Sequence, residues 1–249
     1  MSKIITLTPK KPPKTRVGVI VQARMSSVRF PGKSMALLNG KPVLQWVLER
    51  CRLIQGRKND QMCYILAVPD TDASEPMLEL ANQLGWDNFC GSELNVLRRY
   101  YEAAVFFKLD YIIRVTGDCP FIDPVVCTEV INLLVWRKLD YVSNIFPKRT
   151  YPKGLDCEAF TMDALEAAYK LSDLLGDHEH VTPWLQRTKD VIKGSVEQKE
   201  DKSNLNWCVD FPEDIERLEK EIKRIEEEKN KPPKKIHIIG ANSNDKLIS

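Results

Sequence analysis

Apolar positions along the chain recur with two periods, and the switches between them mark out the elements. Val17-Gly18-Val19-Ile20-Val21 is a continuous, β-branched run, the pattern of a strand buried on both faces of a parallel sheet. Shorter apolar runs at 62–68, 111–115 and 140–143 alternate with stretches of helical period at 42–53, 75–84, 94–108 and 124–137. Pro42 and Pro124 stand at the first turn of two of these helices, where a missing N–H costs nothing. The alternation predicts βα units, an α/β fold class and a mostly parallel sheet. Ligands of such sheets collect beyond the carboxyl ends of the strands, so chemistry is expected in the loops there.

After Asn144 the pattern loosens into a Pro/Gly segment at 147–154, a predicted strand at 157–161 and helices at 162–171 and around 178–186. This half is expected to cap the sheet. A last strand is predicted at 205–209, leading through Asp210-Phe211-Pro212-Glu213-Asp214 into a highly charged helix that reaches about Lys229. The boundaries read as an amino-terminal arm at 1–16, one domain at 17–229, and a linker and tail at 230–249 with a short apolar strand at 236–240.

Composition narrows the classes. A chain of 249 residues with 43% hydrophobic and 29% charged residues is an ordinary folded globular protein. Its net charge of +2 is too small for a nucleic-acid binder, which displays a dense basic stripe; a polyanionic partner is expected to be small. No segment approaches the roughly 18 apolar residues of a membrane span, and the arm has no apolar core of a signal peptide. Seven cysteines without a Cys-x-x-Cys pair read as reduced, buried thiols. A cytoplasmic protein with no membrane and no nucleic-acid partner is expected.

Three segments carry candidate chemistry. The loop from Gln22 to Lys33 sets Arg24, Arg29 and Lys33 directly after the first strand; three cations and free backbone N–H groups at a strand end suit a triphosphate, although a solvated basic loop has the same composition. In Arg114-Val115-Thr116-Gly117-Asp118 a strand ends in Gly-Asp, where a carboxylate can hold Mg²⁺ beside a phosphate. Asp123 precedes a proline-started helix and reads as its N-cap. Asp210 ends the last predicted strand and is the second metal candidate, whereas Glu213 and Asp214 complement the dipole of the following helix. Asp70-Thr71-Asp72 keeps open a nucleotide-sugar-dependent glycosyltransferase, whose metal is commonly held by an Asp-x-Asp triplet, but polar turn residues explain it equally. His178 and His180 lack a third soft ligand for zinc.

Four collinear motifs make a resemblance. Gln22-Ala23-Arg24-Met25-Ser26-Ser27-Val28-Arg29-Phe30-Pro31-Gly32-Lys33, Gly91-Ser92-Glu93-Leu94-Asn95-Val96-Leu97-Arg98-Arg99-Tyr100-Tyr101, Arg114-Val115-Thr116-Gly117-Asp118-Cys119-Pro120 and Val209-Asp210-Phe211-Pro212-Glu213-Asp214 resemble the sugar cytidylyltransferases, in particular the spore-coat polysaccharide (SpsF-type) branch related to the CMP-sialate and CMP-Kdo synthetases. The resemblance spans about Val17 to Arg217. It implies a Rossmann-like, GT-A-type nucleotidyltransferase fold, with a mostly parallel sheet sandwiched by helices, in an often dimeric enzyme. It implies CTP held by Gln22, Ala23, Arg24, Arg29 and Lys33, with Gly91 and Ser92 facing the cytosine, Arg98 nearby, and Mg²⁺ on Asp118 and Asp210. Catalysis then rests on Arg24, Lys33, Asp118 and Asp210, and transfers CMP from CTP to a sugar-like, acidic acceptor with release of pyrophosphate, for surface polysaccharide or glycan synthesis. Lys153, Asp156, Glu158, Glu179 and His180, with Arg149, fall in segments implied to cover the acceptor. Two departures stand out: Cys119 replaces an acidic residue of the CMP-Kdo synthetases, and Phe211 stands where threonine is common. An inactive nucleotide-binding protein on the same fold is the remaining alternative.

Overall fold

A computed structural model describes residues 14–230; most of the predicted arm, the tail and the strand expected at 236–240 lie outside the described residues. In chain order the elements are β1 (Arg16–Gln22), a 3-10 turn at Lys33–Met35, the small hairpin β2 (Leu37–Leu38) and β3 (Lys41–Pro42), α1 (Val43–Cys51), β4 (Gln61–Pro69), α2 (Glu75–Gln83), β5 (Asp87–Gly91) and α3 (Val96–Phe106). There follow β6 (Tyr111–Thr116), α4 (Pro124–Arg137), β7 (Tyr141–Ser143), β8 (Glu158–Thr161), α5 (Met162–Leu171), α6 (Leu175–His180), α7 (Pro183–Arg187), β9 (Lys193–Ser195) and α8 (Glu213–Asn230).

Seven strands form one sheet in the order β5-β4-β1-β6-β8-β7-β9. β5, β4, β1 and β6 run parallel, whereas β8 lies antiparallel to both β6 and β7. The central strand shows why both faces are covered. Val17, Val19 and Val21 pack with Leu44, Val47 and Leu48 of α1 and with Val130 and Leu134 of α4; Ile20 points the other way, into a cluster with Leu97 and Tyr100 of α3 and Leu165 of α5. Side chains alternate across a strand, so a continuous apolar run feeds two cores at once, and each fully buried aliphatic side chain contributes roughly 1.5–3 kcal/mol.

From β1 the chain builds outward through β4 and β5 on one side, then returns to lay β6 on the other. The carboxyl ends of β1 and β6 therefore flank the topological switch point, where loops diverge and leave a crevice.

Several expectations are corrected. The segment predicted as a strand at 205–209 is not one: its ladder contact is an isolated bridge between Lys153 and Asn206. Its apolar residues, Cys208 and Val209, are buried from the side by packing rather than by strand pairing. β5 and β9 carry no apolar run, because they occupy the two edges of the sheet and are half-exposed. The helix expected around 178–186 is two short ones, broken where Val181 takes a φ of 71° just before Pro183.

Candidate functional site

At the switch point the first loop and the Gly-Asp loop are stitched together. The N–H of Gly117 donates to the Gln22 carbonyl at 2.8 Å, and that of Ala23 to the Ala67 carbonyl at 3.3 Å. A side chain at 117 has no room: a Cβ there would lie 2.9 Å from Ala23 Cβ and 3.0 Å from the Gln22 carbonyl oxygen. The rest of the first loop closes on itself, with Gly32 at φ 73° donating to the Met25 carbonyl at 2.9 Å. That closure brings the 3-10 turn of Lys33 back over the sheet end.

Lys33 is the hub. Its Nζ donates to Asp118 Oδ2 at 2.6 Å, to the Val209 carbonyl at 2.9 Å and to Asp210 Oδ1 at 3.3 Å. Asp210 is further paired with Arg29 at 2.9 Å and with Lys153 at 2.9 Å. The Arg29 guanidinium also lies over the Phe211 ring, 5.1 Å from its centroid, so the aromatic residue that replaces threonine serves as a platform for one of these cations. Around this cluster opens a cleft of about 270 Å³ lined by Gln22, Ala23, Arg24, Arg29, Lys33, Arg99, Asp118, Glu179, His180 and Asp210, among others. Arg24 stands 4.0 Å from Glu179 across it.

Burial by itself would push the Asp210 carboxyl up, but the hydrogen bond from Lys153 and the charge of Lys33 hold it below the ordinary aspartate range. Burial likewise pushes the Lys33 ammonium down, and Asp118 and Asp210 more than reverse this, so it lies above the ordinary lysine range. A depressed carboxyl contributes stability that is present above its unfolded pKa, about 3.9, and lost as pH falls through its lower folded value; a raised ammonium contributes below about 10.4 and loses that as pH rises through its higher folded value. The contribution of this cluster to the wild-type urea midpoint is therefore expected to stay flat between about pH 4 and pH 10, whereas Lys33→Met, whose two carboxylates lose their shared cation, is expected to regain stability as pH falls from neutral towards about pH 4. A Lys33→Met midpoint that does not rise over that range would contradict the pairing of both aspartates with one ammonium.

The segment that bears Asp210 has no sheet to hold it, and the structure shows what does. The Val209 N–H donates to the Asp118 carbonyl at 2.9 Å, tying the two aspartate loops directly. Asp214 Oδ2 accepts from the backbone N–H groups of both Asp210 and Phe211, each at 2.8 Å. Arg217 in turn donates to Asp214 Oδ1 at 2.7 Å and to the Cys208 carbonyl at 3.1 Å. Asp214 thus orients Asp210 rather than merely complementing the dipole of α8; an aspartate four residues beyond the candidate ligand, at a helix start, was the signal. Gly154 closes the arrangement. At φ 100°, a Cβ on it would sit 2.6 Å from the Trp207 carbonyl carbon and 2.8 Å from the Cys208 nitrogen. Gly154→Ala is expected to cost about 1–3 kcal/mol of stability in backbone strain and, by displacing Asp210, to lower turnover at least roughly tenfold; thermal melting and steady-state rates check both.

Of the residues proposed from sequence, the cleft gathers Gln22, Ala23, Arg24, Arg29, Lys33, Asp118, Glu179, His180 and Asp210. Lys153 joins them through Asp210. Asp156 sits behind it, gripped by both guanidinium nitrogens of Arg149 at 2.6 and 2.8 Å. Two are elsewhere. Arg98 is on the outer side of α3, paired with Glu102 at 2.7 Å, while its neighbour Arg99 lines the cleft. Glu158 is buried in the sheet, where Arg114 at 2.6 Å and Tyr141 Oη at 2.5 Å occupy its carboxylate; it is a core ion pair, not an acceptor ligand. Gly91 and Ser92 border α3, and Gly91 gives passage to the Arg99 stem, whose Cγ would lie 3.1 Å from a Cβ at 91. The Asp70-Thr71-Asp72 triplet lies exposed after β4 and lines no part of the cleft.

Among the described residues no group of three or more His, Cys, Asp or Glu side chains is placed to hold a metal ion. Asp118 and Asp210, drawn onto one ammonium, are a pair of hard oxygen donors. Such a pair suits Mg²⁺, which is usually bound by one or two carboxylates together with substrate phosphates and water, so the donor set fits the metal that the resemblance implies.

A three-layer α/β fold that gathers cations and two aspartates around a cleft at its switch point is the framework of a nucleotidyltransferase. The chain belongs to the cytidylyltransferase family, whose sequence model matches residues 18–238. It is 34% identical to an uncharacterized protein of Methanocaldococcus jannaschii over 174 residues, 70% of this chain and 68% of the relative. It is 29% identical to the spore coat polysaccharide biosynthesis protein SpsF of Bacillus subtilis over 168 residues, 67% of this chain and 68% of the relative. The structure of a cytidylyltransferase from Leptospira borgpetersenii superposes with a TM-score of 0.78 at 29% identity, covering 84% of this chain and 87% of the other. No helix among the described residues is long and apolar enough to cross a membrane.

Proposed function

We propose that residues 17–229 form a Mg²⁺-dependent, cytoplasmic enzyme that transfers CMP from CTP to an acidic, sugar-like acceptor and releases pyrophosphate. The observation that carries this reading is the convergence of Asp118 and Asp210 on Lys33 at the base of a cleft rimmed by Arg24 and Arg29. Arg24, Arg29 and Lys33 bind the triphosphate, the arginines as forks and the lysine as a point charge. Asp118 and Asp210 would hold Mg²⁺, which when bound neutralises charge on the phosphates. An acceptor hydroxyl oxygen attacks the α-phosphorus as the bond to the pyrophosphate oxygen breaks on the opposite side; the hydroxyl proton is lost to solvent and the negative charge leaves with pyrophosphate. Positioning and charge neutralisation supply most of the acceleration, so no side-chain nucleophile is needed.

An acidic acceptor is favoured by Lys153, half-exposed beside Asp210. Glu179 and His180, from α6, complete the far wall and suit acceptor hydroxyls. Kinship with SpsF favours a sugar destined for a surface polysaccharide. The test is pyrophosphate release by purified protein with each of four NTPs, Mg²⁺ and a panel of acidic sugars. CTP alone is expected to be used well, and Asp118→Asn and Asp210→Asn to lose roughly 10²–10³-fold in turnover while still folded. Equal use of ATP, or wild-type rates in both variants, would sink the assignment.

A further inference from the structure

The far wall of the cleft ends in a rare turn. Glu179 and His180 line the cleft from the end of α6, and the next residue, Val181, has φ 71° and ψ −52°. The N–H of Thr182 donates to the His180 carbonyl at 2.8 Å. A hydrogen bond across three residues with these angles is the γ-turn of positive φ, which is strained, and most of all for a β-branched side chain. Glycine adopts such angles freely, yet valine stands here. Conformations of this kind persist only where the surroundings over-determine them. Val181 is fully buried, in the cluster that holds Leu97 and Tyr100 of α3 with Trp184 and Leu185 of α7. Before the turn, the buried Asp177 carboxylate takes both guanidinium nitrogens of Arg187 from α7, and the Asp177 carbonyl accepts from the Val181 N–H at 2.9 Å. After it, Gln186 donates to Tyr141 Oη at 3.1 Å and to Glu158 Oε1 at 3.2 Å, which fastens α7 to the sheet.

We propose that Val181, braced by the Asp177–Arg187 pair, is a positioning residue for the substrate cleft: burial of its side chain holds the strained turn, and the turn aims Glu179 and His180 at the bound nucleotide. The gain from burying one aliphatic side chain is of the same order as the cost of one strained residue, so the two nearly balance and the turn depends on its anchor. A valine that only filled the core would make each shortening worse than the last, glycine below alanine. A valine that holds a strained turn reverses that order, because alanine loses the anchor and keeps the strain, whereas glycine loses both. The assignment rests on the reading of α6 as a wall of the substrate cleft and adds the device that sets it.

The experiment compares the full chain with Val181→Ala and Val181→Gly by thermal melting and by the ring-proton NMR signals of its three histidines, His180 being identified through His180→Gln. Both variants are expected to melt below wild type, with Val181→Gly above Val181→Ala. In the free proteins the His180 signal is expected to keep its wild-type position in Val181→Gly and to move or broaden in Val181→Ala. CTP with Mg²⁺ is expected to displace that signal in wild type and in Val181→Gly, and the displacement to be lost in Val181→Ala. Val181→Ala melting at or above Val181→Gly overturns the proposal, as does a wild-type His180 signal in folded Val181→Ala. Should Val181→Ala not fold, Arg187→Gln, which releases the other brace, has to move the free-protein signal in its place, and an unmoved signal there overturns the proposal too. A wild type that binds CTP without response at His180 overturns this inference and leaves the substrate standing. A wild type that binds no CTP overturns the proposed substrate, while the melting order and the free-protein signal still decide the role of the turn.

Discussion

Lys33→Met is expected to lower kcat/KM for CTP by roughly 10²–10³-fold, the loss typical of removing one preorganised charge from a transition-state site. The reason lies in its partners. One ammonium, largely shielded from solvent, holds Asp118, Asp210 and the Val209 carbonyl within 3.3 Å, and no other cation among the described residues pairs with both aspartates. Methionine keeps the stem's length but leaves two carboxylates facing each other, so their repulsion opens the base of the cleft just where a triphosphate has to approach. Lys33→Arg is expected to rescue little, although it keeps the charge, because a planar fork cannot take the place of a compact ammonium with three diverging bonds. Steady-state pyrophosphate release across a Mg²⁺ titration checks this. Near-wild-type kcat/KM in Lys33→Met would mean that the hub is structural only.

The largest effect on stability is expected at Arg114. Arg114→Met should destabilise the protein by about 3–5 kcal/mol, because it strands the Glu158 carboxylate in the interior without its cation. The pair spans β6 and β8 directly, since Arg114 and Glu158 are register partners, and Glu158 also accepts from Tyr141 at 2.5 Å and from Gln186 at 3.2 Å. Removing both charges in Arg114→Met/Glu158→Met is expected to recover part of the loss, as apolar replacements of buried pairs commonly do. Urea unfolding measures all three proteins. The same series decides what Glu158 does: Glu158→Gln is expected to lower the unfolding midpoint, whereas a raised KM for the acceptor with an unchanged midpoint would return it to the acceptor site.

Much of the scaffold is written locally. The run at 17–21, the helical periods of α1 to α5 and the strand-to-loop transitions at Gln22 and Gly117 follow from burial period and turn chemistry, which act over a few residues. So does the placement of Arg24, Lys33 and Asp118 near one another, since adjoining parallel strands carry their loops to the same end of a sheet. The residue after Arg98 shows a signal that can be read further: Arg99 is three positions from Val96 and four from Ala103 on the buried face of α3, so helical geometry alone points it inward.

Other assignments belong to the tertiary structure. Asp210 and Glu158 are both carboxylates near apolar segments, yet one meets Lys33 and Lys153 at the cleft and the other meets Arg114 in the core. Their neighbours come from strands and loops distant in sequence, and electrostatics depends on separation in space, which no local period records. The segment at 205–209 imitates a strand because burial demands apolar residues whether or not a ladder is made. What sets Asp210 is instead a set of long-range clamps from Asp118, Gly154 and Lys153, together with Asp214 and Arg217 of α8. Local pattern determined which elements form and at which end of the sheet the chemistry sits; packing between remote segments decided which charges meet there, because their pairing energies exist only once the fold has closed.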